Sequence, residues 1–175
     1  YSKGTPQGVL DDVVVVPYHD EVAAEQLLKR NAGDLAAVVY DPVSSRVGMI
    51  SPTKAYFEML VDFCQANGVM LIFDEVIAFR LGYEGAQGVH GVTPDLTALG
   101  KIIGGGFPVG AVAGRSDVMA VFEEGGGLPH GGTFNANPVT MVAGMATMKE
   151  MTRDAFDRLN EMGEQGRNEF DEAFK

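Results

Sequence analysis

The sequence predicts an α/β fold, a mostly parallel sheet flanked by helices. Three features carry that expectation. Short apolar and β-branched runs, among them residues 13–16, "LAAVVYDP" and "VMLIFDEV", are too short for helices and suit strands buried on both faces. Segments with apolar residues at helical spacing lie between them, and strand–helix alternation is how a parallel sheet is built. Two glycine-rich loops, 104–106 and 125–132, follow strand or helix signals, where ligand loops of such sheets are found.

Taken in order, residues 12–18 predict the first strand, because valine fills four consecutive positions. Residues 21–31 have helical spacing, and "NAG" closes them with a glycine signal at Gly33. "LAAVVYDP" predicts a second strand, ended by Pro42, which cannot continue a ladder. Ser51 is expected to cap the next helix with Pro52 in its first turn, and "QANG" ends that helix. "VMLIFDEV" predicts a third strand that delivers Asp74 and Glu75 to its carboxyl end, the edge where ligands gather in open α/β sheets. "DLTALG" and "PVGAVAG" are two further strands. Helices over 138–150 and from 152 onward finish the chain, the last with Phe156, Leu159, Met162, Phe170 and Phe174 near one face.

Composition narrows the class. The chain has 175 residues, 46% apolar and 21% charged, as expected of a globular protein with a sizeable core. Its net charge of −11 argues against nonspecific nucleic-acid binding, which needs a basic face. No apolar run approaches the roughly 18 residues of a membrane span, and no signal peptide is evident. The single cysteine, Cys64, reads as a small core residue and cannot form an internal disulfide, so the expected compartment is the cytoplasm. The chain opens on Tyr1 and its last helical pattern has no stop signal, so a piece of a longer protein is expected.

Lys101 poses the functional question. It follows an apolar run and precedes Gly104, Gly105 and Gly106, although desolvating an ammonium is costly. It could bind phosphate as a point charge or serve as a desolvated nucleophile that forms a Schiff base. The phosphate-loop pattern G-x-x-x-x-G-K-[ST] fails, because Ile102 follows Lys101 and no glycine stands at the required earlier position. The G-x-G-x-x-G pattern also fails, since Val109 and His130 fall where its last glycine belongs. On the Schiff-base reading Asp74 and Lys101 gain a joint purpose. Pyridoxal phosphate needs a lysine for its aldehyde and a carboxylate to keep its ring nitrogen protonated.

"FDEV", "GVTPDLTALGKIIGGGFPVGAVAGRSDVM" and "HGGTFNANPVTM" together resemble the large domain of class III aminotransferases, with the glutamate-1-semialdehyde 2,1-aminomutase branch nearest. The resemblance begins at "GTPQGV" and continues into the last helices. It implies the type I pyridoxal-phosphate transferase fold, with residues 1–150 as part of the cofactor-binding large domain. Residues 151–175 would then start the helix leading toward a C-terminal small domain. By the same resemblance Lys101 matches the lysine that holds pyridoxal 5'-phosphate, and Asp74 matches the partner of its pyridine nitrogen. Val76 matches the residue packed on the ring, and Thr133 the threonine that reaches the cofactor phosphate of a neighbouring subunit. The implied partners are a small-molecule amino donor and acceptor and a second subunit, in a homodimer with a shared active site. Neither metal, nucleic acid nor membrane is implied.

Departures bear on the substrate. Asp41-Pro42 stands where the family often has Glu-Pro, and by the same resemblance Arg46 falls near the substrate, where it could clamp a carboxylate. "DEVIAFRL" is one residue short of the usual aminomutase spacing and, with "HGGTFNANPVTM", resembles aminotransferases of β-amino acids, whereas "GGGFPVGA" resembles the aminomutase. An aminomutase, an aminotransferase of β- or ω-amino acids, and a cofactor-free scaffold or interaction domain all stay open. The family's phosphate loop, its ring-stacking aromatic and most of its small domain have no counterpart here.

Overall fold

A computed structural model describes residues 3–123 and 125–175, so Tyr1 lies outside the described residues. The chain divides into two compact units, residues 1–36 with 52–69 and residues 37–51 with 70–175.

The first unit is helical. It holds α1 (Gln7–Asp11), α2 (Glu21–Asn31) and α3 (Lys54–Asn67). Asp20 caps α2 by accepting from the Ala23 amide at 3.0 Å, and Lys29 and Arg30 stand at its negative end. α2 packs on α3. Ala24 and Leu28 of α2, and Tyr56, Phe57, Leu60, Phe63 and Cys64 of α3, are buried. Cys64 is thus a core residue.

Two expectations change here. Residues 12–18 join no sheet, and Val13 and Val15 are exposed. β-propensity yields a strand only where a neighbour completes the ladder and a core receives the side chains. Instead the segment runs irregularly to Pro17, whose carbonyl accepts from the Tyr56 hydroxyl at 2.9 Å. The cap of α3 is Thr53, which accepts from the Tyr56 amide at 3.1 Å, not Ser51. Pro52 therefore precedes the cap, and the hydroxyl adjoining the first helical residue takes the role.

The second unit carries the sheet, formed by β1 (Ala37–Tyr40), β2 (Met70–Asp74), β3 (Leu96–Gly100) and β4 (Gly110–Gly114) in that spatial order. β1, β2 and β3 are parallel, with Tyr40 beside Phe73 and Asp74 beside Ala98. β4 returns antiparallel to β3, placing Gly110 beside Gly100. The mostly parallel sheet is the one the sequence predicts. Asp95 ties three strands together at the opposite end. One oxygen accepts from the Leu71 amide at 2.8 Å and the other from Arg115 at 2.6 Å, just beyond β4.

Helices α4 (Gly85–His90), α5 (Ser116–Met119), α6 (Pro138–Glu150) and α7 (Arg153–Ala173) complete this unit. Asn137 caps α6, accepting from the Val139 and Thr140 amides, and Pro138 fills its first position. Thr152 caps α7. Tyr40, Leu71, Phe73 and Phe156 are buried, and Val43, Ala78 and Ala86 form one apolar cluster with Leu81 against it. The start of α7 is fastened to residues 81–84. Arg153 lies 4.4 Å above the Tyr83 ring and pairs with Glu84 at 2.6 Å, while Asn160 donates to the Leu81 carbonyl. Of the apolar face expected on α7 only Phe156 is buried. Leu159, Met162, Phe170 and Phe174 are exposed. Among the described residues no helix is long and apolar enough to cross a membrane.

Candidate active site

Parallel pairing brings the carboxyl ends of β1, β2 and β3 to one edge. Asp41 follows β1, Asp74 ends β2 and Lys101 follows β3. With Ser45, Arg46, Val76 and Ile77 they line a cleft of about 470 Å³. Four of the residues singled out in the sequence, Arg46, Asp74, Val76 and Lys101, therefore share one site.

Each is positioned by its own backbone. The Asp74 carboxylate accepts from the Val76 amide at 3.1 Å, which turns the chain sharply as it leaves β2. Gly100 leaves room for Val76, since a Cβ there would lie 3.3 Å from Val76 Cγ1. Lys101 opens the 3-10 turn Lys101–Gly104 with a φ of 47°, a left-handed conformation uncommon for a side-chain-bearing residue. Arg46 lies in the turn Ser45–Val47, where Ser44 accepts from its amide at 3.3 Å. Its side chain is exposed.

Asp41 and Ser45 are polar lining residues that the sequence reading did not assign. Asp41 accepts from the Val43 amide at 3.2 Å. Burial pushes its carboxyl above the ordinary value; the Val43 amide opposes this, the Asp74 charge adds to it, and Ser44 and Lys101 oppose it. The available signal was an acid directly after each of two apolar runs, which parallel pairing makes neighbours.

Glu75 departs from its neighbour. It is fully buried and absent from the cleft lining. Its oxygens accept from the Ala86 amide at 2.6 Å, the Gln87 amide at 3.1 Å and the Gln87 side chain at 3.2 Å, satisfying the start of α4. Burial raises its pKa against these three bonds.

Thr133 lies apart from the Lys101 cleft. It is exposed, in a loop bordering a second cleft of about 720 Å³ lined by Pro108, Val109, His130, Phe134, Asn137 and Thr140 among others. Among the described residues no cluster of three or more His, Cys, Asp or Glu side chains is arranged to hold a metal ion.

A family model described as aminotransferase class-III matches residues 8–170. A glutamate-1-semialdehyde 2,1-aminomutase of Ignicoccus hospitalis is 47% identical over 153 residues, covering 87% of this chain and 36% of that protein. Among solved structures, an omega-transaminase from Sphaerobacter thermophilus is 54% identical with a TM-score of 0.90, covering 94% of this chain and 38% of its own. A transaminase solved with PLP bound is 42% identical with a TM-score of 0.91, covering 95% and 40%. The chain spans a little over a third of the length of the curated relatives it matches.

Proposed function

The chain belongs to the class III aminotransferase family, and on that premise we propose that it forms the central part of the large domain of a pyridoxal-phosphate-dependent enzyme that moves an amino group. The observation that carries this reading is the convergence of Lys101, Asp74 and Val76 on one cleft. Those side chains fit the cofactor: an amine for its aldehyde, a carboxylate for its ring nitrogen and an apolar surface for its ring. When bound, pyridoxal phosphate supplies an electron sink for the carbon that bears the amino group.

The chain's own residues do the rest. Lys101 Nζ would be the nucleophile that holds the cofactor and, when its amine is free, the base that carries a proton within the cleft. The Asp74 carboxylate keeps a proton on the ring nitrogen through a charge-assisted bond. Val76 presents its methyl groups to the ring and excludes water from that face. Arg46 offers the substrate carboxylate a planar, two-pronged donor. Thr133 serves the phosphate end of a neighbouring subunit's site in a cytoplasmic homodimer, and residues 151–175 lead toward a small domain.

For substrate, the aminomutase reading follows the curated relatives, with glutamate-1-semialdehyde as the compound rearranged. The similarity to an omega-transaminase favours a second reading, an aminotransferase of β- or ω-amino acids. The test is borohydride reduction of the full-length protein with pyridoxal phosphate, followed by peptide mapping. A pyridoxyl group on Lys101 is expected; label on another lysine with Lys101 unmodified would overturn the reading. Assays with glutamate-1-semialdehyde and with β- and ω-amino donors then separate the two substrates.

A further inference from the structure

Helix α6 carries Gly144 at its centre, although glycine there costs roughly 1 kcal/mol relative to alanine. A glycine in the middle of a helix raises the question of what its missing side chain makes room for. The structure supplies an answer. Gly144 is buried, and a Cβ on it would stand 2.2 Å from the Ile103 carbonyl oxygen, inside the turn that Lys101 opens. The contact is reciprocal. Gly105, at φ 59°, would place a Cβ 2.5 Å from the Ala143 carbonyl oxygen and 2.7 Å from Thr147 Oγ1. Helix and turn thus meet backbone to backbone at two successive points.

That contact bears on Lys101 itself. A side-chain-bearing residue stays in a left-handed conformation only where its surroundings over-determine it. On one side Lys101 is fixed by the β3 pairing, which ends at Gly100. On the other side its turn is closed by bonds from the Gly105 amide to Ile102 and the Phe107 amide to Gly104. α6 bears on Ile103 between them. We infer that Gly144 is a positioning residue for Lys101: by carrying no side chain it lets α6 clamp the Lys101–Gly104 turn and hold the lysine backbone in its left-handed conformation. The inference deepens, and rests on, the reading of Lys101 as the cofactor-holding lysine. The same helix begins directly after the Thr133 loop, so it joins the backbone of both clefts.

The experiment uses full-length protein without added cofactor, as Gly144→Ala, Thr147→Ala and a Gly166→Ala control whose Cβ would meet nothing within 4 Å. Hydrogen exchange in the peptide 101–107 should speed up by about tenfold in Gly144→Ala and Thr147→Ala and stay unchanged in the control, with β1 unaffected. Acylation of Lys101 relative to exposed Lys54 should change by about threefold or more in the same two variants. If Gly144→Ala does not fold, Thr147→Ala decides alone, since it loosens the contact without a clash. Unchanged exchange in the deciding variant overturns the inference. So does faster exchange with unaltered Lys101 acylation, which would make the contact merely structural. Absence of pyridoxyl label on Lys101 in the unsubstituted protein would sink the cofactor reading, while exchange and acylation still decide whether Gly144 positions the lysine.

Discussion

Asp41 and Asp74 leave neighbouring parallel strands one residue beyond the paired Tyr40 and Phe73, and both line the cleft that holds Lys101. Two acids and one amine converge because parallel strands bring equivalent ends together, and no local motif foretells the pairing.

Asp41 gives the first prediction. Its folded pKa is raised above the ordinary 3.8, with burial the main cause. The folded chain therefore binds this proton more tightly than the unfolded chain. The associated stability is present below about pH 4 and is lost as pH rises through the folded value. Asp41→Asn keeps an oxygen for the Val43 amide but cannot titrate. Thermal melts from about pH 4 to 7 should show the variant gaining on the parent as pH rises; parallel curves would sink the assignment.

A second prediction concerns Glu75 and Gly85. Gly85 sits at φ 71°, and a Cβ there would lie 2.4 Å from Glu75 Oε2. Glu75→Ala orphans the Ala86 and Gln87 amides and should cost about 3 kcal/mol in urea unfolding. Gly85→Ala meets both backbone strain and the carboxylate, and should cost about 2 kcal/mol or more. A loss below roughly 0.5 kcal/mol in both variants would refute the capping role.

His90 supplies the opposite sign. Burial lowers its pKa from the ordinary 6.5, so its stability contribution is present above that value and lost as pH falls through the folded one. His90→Gln should flatten the fall in melting temperature between about pH 6.5 and 5. A variant as acid-sensitive there as the parent contradicts this.

Asp74→Asn in the full-length protein should retain the turn, because Asn can still accept from the Val76 amide. On the proposed function, turnover should drop about 100-fold while Lys101 still takes up the cofactor, since the ring nitrogen would lose a charged partner. Near-normal turnover would count against the role.

Arg46→Ala should raise KM for carboxylate-bearing donors about tenfold with cofactor content unchanged. Kinetics unaltered for every donor would assign Arg46 to the exposed surface alone.

Much of the sheet was legible because β1, β2 and β3 are short apolar runs with clear stops, Pro42 and Gly68 among them. The valine run at 13–16 misled, because propensity records what a segment tolerates and not whether a neighbour pairs with it. Asp74 and Lys101 were legible as residues that apolar runs would deliver to a strand end. Asp41 was legible only as a departure from the family's Glu-Pro and not as a lining residue, because the proline after it already accounts for the strand's end. Glu75 was ambiguous for a related reason: next to Asp74 in sequence, it is drawn by two amides eleven and twelve residues away. Nor does helical spacing tell whether a face is covered, and beyond Phe156 the apolar side chains of α7 are bare.

The order of the sheet has a kinetic consequence. Strands lie side by side in the order of synthesis, yet β1 and β2 are separated by the whole of α3. Closing so long a loop must precede any reward from pairing, so non-local contacts of this kind form slowly. The Lys101 cleft draws on the ends of three strands and cannot exist until both parallel pairings are made. In refolding experiments the helical signal should therefore recover first and the cleft last. A chain caught between those stages would expose the unpaired edge of β2, and such edges seed association between molecules.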